Sequence, residues 1–265
     1  MTGEPNRRDE LRRSFDQVAD AYADARPGYP DAVFDEIAQL VPTPARVLEI
    51  GPGPGVATIE LARRGYEVLA IELGAQMARV AKQRLAPYPR VAIVNADFHA
   101  WEPQPASFDL VCAASAFQWI DPAVAYPKAH AALRRGGHLA LVWNHPVRGR
   151  GAAARFWDAN EELYRREAPS IAVPSTARRP SAQDPRTELR ASRLFGPATR
   201  RSWRWRRSFD ADAFLALIGT FSDHITLAAG ERAALEAGMR ELIDERFGGS
   251  VVREFLTILY TAQAR

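Results

Sequence analysis

Short apolar runs bounded by turn residues punctuate the first half of the chain. Val47-Leu48-Glu49-Ile50, Tyr66-Glu67-Val68-Leu69-Ala70-Ile71 and Val91-Ala92-Ile93-Val94 read as buried strands by length and composition. Between the first two, Val56 to Arg64 predicts a helix, with a basic end and Gly65 as its stop. Upstream, Leu11, Phe15, Val18 and Tyr22 recur at helical spacing, which predicts an amphipathic helix from Asp9 to Ala25 behind a disordered, basic tail. Arg26-Pro27-Gly28-Tyr29-Pro30 breaks it, and a second helix is expected from Asp31 to Leu40.

The second half is less regular. Gly149 to Ala168 predicts a polar helix anchored by Phe156, Leu163 and Tyr164, and Pro169 to Pro185 reads as a loop, a candidate lid over substrate. Ala198 to Phe209 alternates, Trp203 and Trp205 on one face and Arg204 and Arg206 on the other, as a half-buried strand does. The same interleave suits stacking on nucleic-acid bases. Helices are expected over Asp210 to Ile218 and Glu231 to Phe247, the latter stopped by Gly248-Gly249, and Phe255 to Ala262 predicts a last strand.

The chemistry starts where the first strand runs into Gly51-Pro52-Gly53-Pro54-Gly55. A glycine-rich turn opening a helix suggests a dinucleotide site, yet the third glycine of that fingerprint is replaced by Val56. Pro52 and Pro54 also remove two amide donors that a phosphate would need. A nucleoside ligand without phosphate fits better, and S-adenosylmethionine, an adenosine with a zwitterionic tail and a sulfonium, is such a ligand. The segment resembles motif I of class I S-adenosylmethionine-dependent methyltransferases, with Glu49, Gly51, Gly53 and Gly55 on the motif's acid and glycine positions.

That resemblance, of the small-molecule type 11 kind, carries further expectations. Glu72 at the tip of the second strand, with Leu73 beside it, would hold the ribose hydroxyls. Asp97 would accept from the adenine amino group while Phe98 packs on the ring. Phe108 to Ala114 and Leu133 to Trp143 resemble the fourth and fifth strands, so that Gly51, Glu72, Asp97 and Ala114 converge at one sheet edge. The implied fold is α/β, a Rossmann-like seven-stranded sheet in the order 3-2-1-4-5-7-6 with the last strand antiparallel, helices on both faces and a helical cap. Gln118 and Trp119 would flank cofactor or substrate. Tyr22 and Arg26 would hold the methionine carboxylate, or else serve as core and solvated helix end. The implied organisation is an N-terminal segment (1–42), a cofactor-binding core (43–145), a cap with the sixth strand (146–230) and a closing helix and strand (231–265).

Composition adds limits. The 265 residues are 47% hydrophobic, enough for one sizeable core plus an elaboration. The single cysteine, Cys112, excludes a disulfide framework or a cysteine zinc cluster, and no metal is expected. Without a long apolar stretch or a signal-peptide pattern, neither a membrane span nor secretion is indicated, and a reducing cytoplasm is expected. A net charge of +3 is a weak case for nucleic acid.

The expected activity is therefore in-line methyl transfer from S-adenosylmethionine to a small-molecule acceptor. Phe156, Trp157, Trp203 and Trp205 suggest an apolar or aromatic acceptor, or are simply cap core. His145, expected just past the fifth strand, is the candidate general base, or else completes a turn before Pro146. An RNA methyltransferase and a catalytically silent S-adenosylmethionine-binding module are the alternatives, and oligomeric state is open.

Overall fold

The structure is a computed structural model, and it describes residues 15–171 and 185–265. Seven strands form one sheet in the order β3-β2-β1-β4-β5-β7-β6. The five strands β1 (Arg46–Ile50), β2 (Glu67–Glu72), β3 (Val91–Asn95), β4 (Phe108–Ala114) and β5 (Leu133–Val147) pair in parallel. β7 (Val251–Gln263) lies antiparallel between β5 and β6 (Thr199–Phe209). This is the sheet order expected from the sequence.

Alternation along the strands sorts the core into two layers. On β1, Val47 faces a cluster with Phe34 and Ile37 of helix α2 (Asp31–Leu40) and Leu61 of α3 (Val56–Arg63). Leu48 and Ile50 point the other way, against Tyr126 and Ala129 of α5 (Pro122–Ala132) and Leu189 of α7 (Pro185–Ser192). Helix α4 (Ala75–Leu85) packs Met77 and Val80 on Ala19 and Ala23 of α1 (Ala19–Ala25). A third cluster forms the cap: Phe156 and Tyr164 of α6 (Ala152–Glu167), Phe214 and Leu217 of α8 (Ala211–Gly219), then Leu235 and Met239 of α10 (Ala229–Glu241), which follows the short α9 (Ser222–Ile225). No helix among the described residues is long and apolar enough to cross a membrane.

Several boundaries differ from the sequence reading. The helix expected from Asp9 lies partly outside the described residues. Its described part begins as a tight 3-10 turn, Phe15–Val18, in which the Asp16 carboxylate accepts a 2.9 Å bond from the Met77 amide at the start of α4. The candidate lid lies outside the described residues from 172 to 184, and at its far end Pro185 opens α7, a helix the sequence reading did not foresee. The strand expected to end at Trp143 continues to Val147, and the last strand starts at Val251, with one residue between it and the Gly248-Gly249 pair. Pro146 is tolerated because β4 ends opposite Val142, leaving that flank of β5 unpaired while β7 pairs its other side. The helix expected to Phe247 loosens into a π turn over Leu242–Arg246.

The tryptophans of β6 belong to the core. Trp203 packs against the layer containing Leu259, and Trp205 stacks on Phe255 at 4.7 Å and donates a 2.8 Å bond to Thr257 Oγ1. Arg204 and Arg206 are exposed. Trp205→Ala is expected to lower stability by about 2–3 kcal/mol, whereas Arg204→Ala and Arg206→Ala change it by no more than about 0.5 kcal/mol. Urea melts of the three variants check this, and a silent Trp205→Ala would contradict the core assignment.

Candidate functional site

The parallel strands end their C-terminal tips on a single cavity of about 480 Å³, roofed by the N-terminal segment and by the cap. Its floor is the turn after β1. The Gly51 amide donates to Ile71 O at 2.9 Å, which binds this turn to β2. Gly51 has φ of +65° and a Cβ there would stand 2.6 Å from the Ala116 Cβ, so both the backbone and the close approach demand glycine. At Gly53, φ is +56° and nothing lies within 4 Å of where a Cβ would be: that space belongs to the cavity.

Glu72 sits at the tip of β2 as expected, only 8% exposed. Its Oε2 accepts from the Gly53 amide and its Oε1 from the Gly74 amide, both at 2.9 Å. Burial raises its pKa, and those two amides oppose the rise. The carboxylate is thus held still at the cavity wall. Asp97 follows β3, with Oδ1 accepting from the His99 amide at 3.0 Å and lying 3.1 Å from His99 Nδ1. Beside it Phe98 is stacked on Trp101 at 6.2 Å, and Lys128 donates to the carbonyls of Phe98, His99 and Trp101.

After β4 the chain passes through Ser115 with φ of +56°, a conformation costly for serine and stabilised here by hydrogen bonds on both sides. Its amide donates to Val142 O at 2.8 Å, and its hydroxyl accepts from Tyr29 at 3.1 Å. Gln118 donates to Ser115 O at 2.9 Å and accepts from Trp143 Nε1 at 2.8 Å, while Trp119 meets Phe15 edge-on at 5.7 Å.

The roof is tied to the floor by named bonds. Arg26 lies between the rings of Tyr22 and Phe221, at 4.6 and 4.7 Å, and donates from Nε and Nη2 to the hydroxyl and carbonyl of Thr220, at 2.8 and 2.9 Å. Asn144 donates to Gly28 O at 2.9 Å. Asn144 also accepts from Thr257, which in turn accepts from Trp205.

Of the residues singled out by sequence, Tyr22, Arg26, Gly51, Gly53, Glu72, Leu73, Asp97, Phe98, Ala114, Gln118, Trp119 and His145 line this cavity. Gly55 does not: it is the left-handed residue that starts α3. Nor does Glu49, which alternation turns onto the α2–α3 face, fully buried, with no hydrogen-bond partner among the described residues for either carboxylate oxygen. Burial there pushes its pKa up to about 7, with the Thr58 hydroxyl opposing the rise. His145 lies within β5, opposite Leu256, and not past the strand end as expected. Its pKa is lowered, first by burial and then by Arg200, which keeps the imidazole neutral near pH 7. Phe156, Trp157, Trp203 and Trp205 do not line the cavity; Tyr29, Asn144, Phe221, Asp223, Arg253 and Phe255, none of them foreseen, do.

The residues present fit an adenosyl ligand. A buried, fixed carboxylate at the β2 tip, an acid with an aromatic neighbour after β3, and open space over Gly53 lie along one edge, the usual place for ligands of such sheets. Comparison with known proteins agrees. Residues 47–137 match the methyltransferase domain family. An uncharacterized methyltransferase of Mycobacterium tuberculosis is 36% identical over 138 residues, 52% of this chain and 54% of that protein. The chain thus spans about half the length of the curated relatives it matches. Among solved structures, a putative type II methyltransferase from Anaeromyxobacter dehalogenans superposes with a TM-score of 0.64 at 22% identity, covering 90% of this chain and 97% of that one. A Haemonchus contortus phosphoethanolamine N-methyltransferase 2, solved in complex with S-adenosyl-L-methionine, gives 0.55 at 17% identity, covering 94% and 57%. Residues 47–137 thus match a methyltransferase domain, and the fold around them is the Rossmann-like fold of these methyltransferase structures.

The buried Glu49 leads to a stability prediction. Its folded pKa of about 7 lies above an ordinary value of about 4.5, so its contribution is fully present below pH 4.5 and is lost as pH rises through 7. The loss is on the order of 3 kcal/mol. Glu49→Gln is expected to flatten that slope in denaturant melts between pH 4.5 and 7.5; an unchanged slope would mean the carboxyl does not titrate there.

Proposed function

We propose that this protein transfers a methyl group from S-adenosylmethionine to a small metabolite bound under the cap. The observation that carries the reading is the Glu72 carboxylate, fixed by two backbone amides at the wall of the cavity on the strand tips. Along the strand tips, Asp97 and Phe98 suit the adenine, Glu72 the ribose, and Tyr22 with Arg26 the methionine end. Bound there, S-adenosylmethionine supplies an electrophilic methyl on a sulfonium.

What the chain must do is hold, orient and keep dry. Displacement needs the acceptor atom in line at about 3 Å, which is a matter of positioning. Phe15, Trp119, Trp143 and Phe255 give the cavity apolar walls that favour an acceptor with an apolar or aromatic body. His145 faces the same space with a neutral imidazole and no hydrogen-bond partner among the described residues, so a ring nitrogen is available to take a proton from an oxygen or nitrogen nucleophile. RNA is the second reading, favoured by the exposed arginines of β6. Those arginines lie outside the cavity lining, and Arg201 is engaged with Glu36.

S-adenosylhomocysteine is expected to raise the melting temperature by a few degrees at a hundredfold excess over its Kd, where mass action gives about 2.7 kcal/mol. NAD and ATP should not. Glu72→Ala should weaken S-adenosylhomocysteine ten- to a hundredfold in calorimetry with the fold intact, about 1.5–3 kcal/mol. Stabilisation by NAD alone, or full affinity in Glu72→Ala, would overturn the cofactor assignment.

With an acceptor found by screening, kcat/KM is expected to plateau at neutral pH and to fall in acid, below the usual histidine range, as the His145 imidazole gains its proton. His145→Gln should lower kcat by about 10²–10⁴ and abolish that acid limb. Unchanged rate and profile would remove His145 from the chemistry.

A further inference from the structure

Arg253 is only 6% exposed, yet it makes no hydrogen bond or ion pair with any described residue. Its guanidinium is held among aromatic faces, 5.5 Å from the Trp157 ring, 5.4 Å from Phe214 and 5.9 Å from Phe221. Two of these rings come from cap helices α6 and α8, and Arg253 itself lines the cavity. Burying a cation without a counter-charge is expensive, and ring faces recover only part of that cost. The neighbouring groups do not supply the missing charge. Tyr164 and His224 hydrogen-bond each other at 2.7 Å, and burial keeps both neutral, pushing His224 down to about 4. Glu254 points to Arg204 at 3.9 Å, and Asp223, which lines the cavity, acts on the buried Tyr164 and His224. Burial lowers the Arg253 pKa to about 10, which still leaves it charged at neutral pH.

Its place on the sheet says which ligand meets it. Glu72 is on β2 and Arg253 on β7, with β1, β4 and β5 between them. At about 4.8 Å per strand, that is roughly 19 Å from the β2 tip and on the far side of His145. If Glu72 holds the ribose, Arg253 stands at the acceptor end.

We propose that Arg253 is the anchor for a carboxylate on the methyl acceptor, so that the substrate class is a small organic acid with an apolar or aromatic body. The planar fork of one guanidinium matches one carboxylate in charge and geometry, and the surrounding rings accept an apolar body while excluding water that would compete. This rests on the methyltransferase reading, because the acceptor end is defined by where the adenosyl group lies.

The test uses benzoate, its neutral isostere benzamide, and inorganic phosphate, titrated calorimetrically into the full chain saturated with S-adenosylhomocysteine. Benzoate is expected to bind at least tenfold tighter than benzamide. Arg253→Met should erase that preference while keeping S-adenosylhomocysteine affinity within threefold, which also shows that the variant is folded, and Arg253→Lys should keep part of the preference. The proposal is overturned if benzoate and benzamide bind alike, if the preference survives in Arg253→Met, or if phosphate binds tighter than benzoate. It is equally overturned if Arg253→Met loses S-adenosylhomocysteine instead, since the guanidinium would then hold the cofactor's own carboxylate. Should the wild type not bind S-adenosylhomocysteine at all, the methyltransferase reading fails separately, and the same titration of the unloaded chain still decides whether Arg253 selects a carboxylate.

Discussion

One buried carboxylate fixes the geometry of the cavity. Glu72 accepts from Gly53 on one side and from Gly74 on the other, and so locks the turn after β1 and the entry to α4 onto the tip of β2. Removing a carboxylate from water costs free energy, and its raised pKa records that cost. The two amides offset it because each would otherwise be an unpaired donor at a loop. The arrangement leaves the acid immobile beside open space, with hydrogen-bonding capacity remaining for a ligand's hydroxyls. Pre-orientation of this kind means a ligand need not pay for ordering the group that binds it.

The roof depends on the same economy of polar contacts. Besides packing Ala19, Ala23, Phe34 and Ile37 into the core, the N-terminal segment is held over the cavity by Arg26 on Thr220, Tyr29 on Ser115 and Gly28 on Asn144. Each of these joins elements far apart in sequence. Because Asn144 also accepts from Thr257, the position of the roof is coupled to β7, the strand that carries Arg253. The β2 end and the β7 end of the cavity therefore share one framework, and the cap's packed aromatics border the β7 end.

Much of this was legible in the sequence. The three apolar runs and the glycine turn gave the start of the sheet, and the motif resemblance placed Glu72 and Asp97 at its edge, where the structure has them. What was not legible came from tertiary context. Pro146 reads as a strand terminator, and only the unpaired flank of β5 lets the strand run on through it, which moves His145 from a loop into a strand. Glu49 reads as a ligand acid because it precedes the glycines, whereas period-two alternation, already visible in the run, turns it to the helix-covered face. Arg253 carried a faint signal, a charged residue at an inward position of β7 between Val251 and Phe255, but the strand was expected to begin only after it. The tryptophans of the arginine-rich strand were ambiguous by pattern; packing against Leu259 and Phe255 makes them core.

We propose that an adenosyl group lies along the strand tips with its ribose on Glu72. The most direct measurement is a crystal structure of the full chain with S-adenosylhomocysteine. It is predicted to show both ribose hydroxyls on the Glu72 carboxylate, the adenine between Asp97 and Phe98, and the sulfur facing the space between His145 and Arg253. An adenosine lying reversed, with its base toward β7, or a ligand bound outside this cavity, would contradict it.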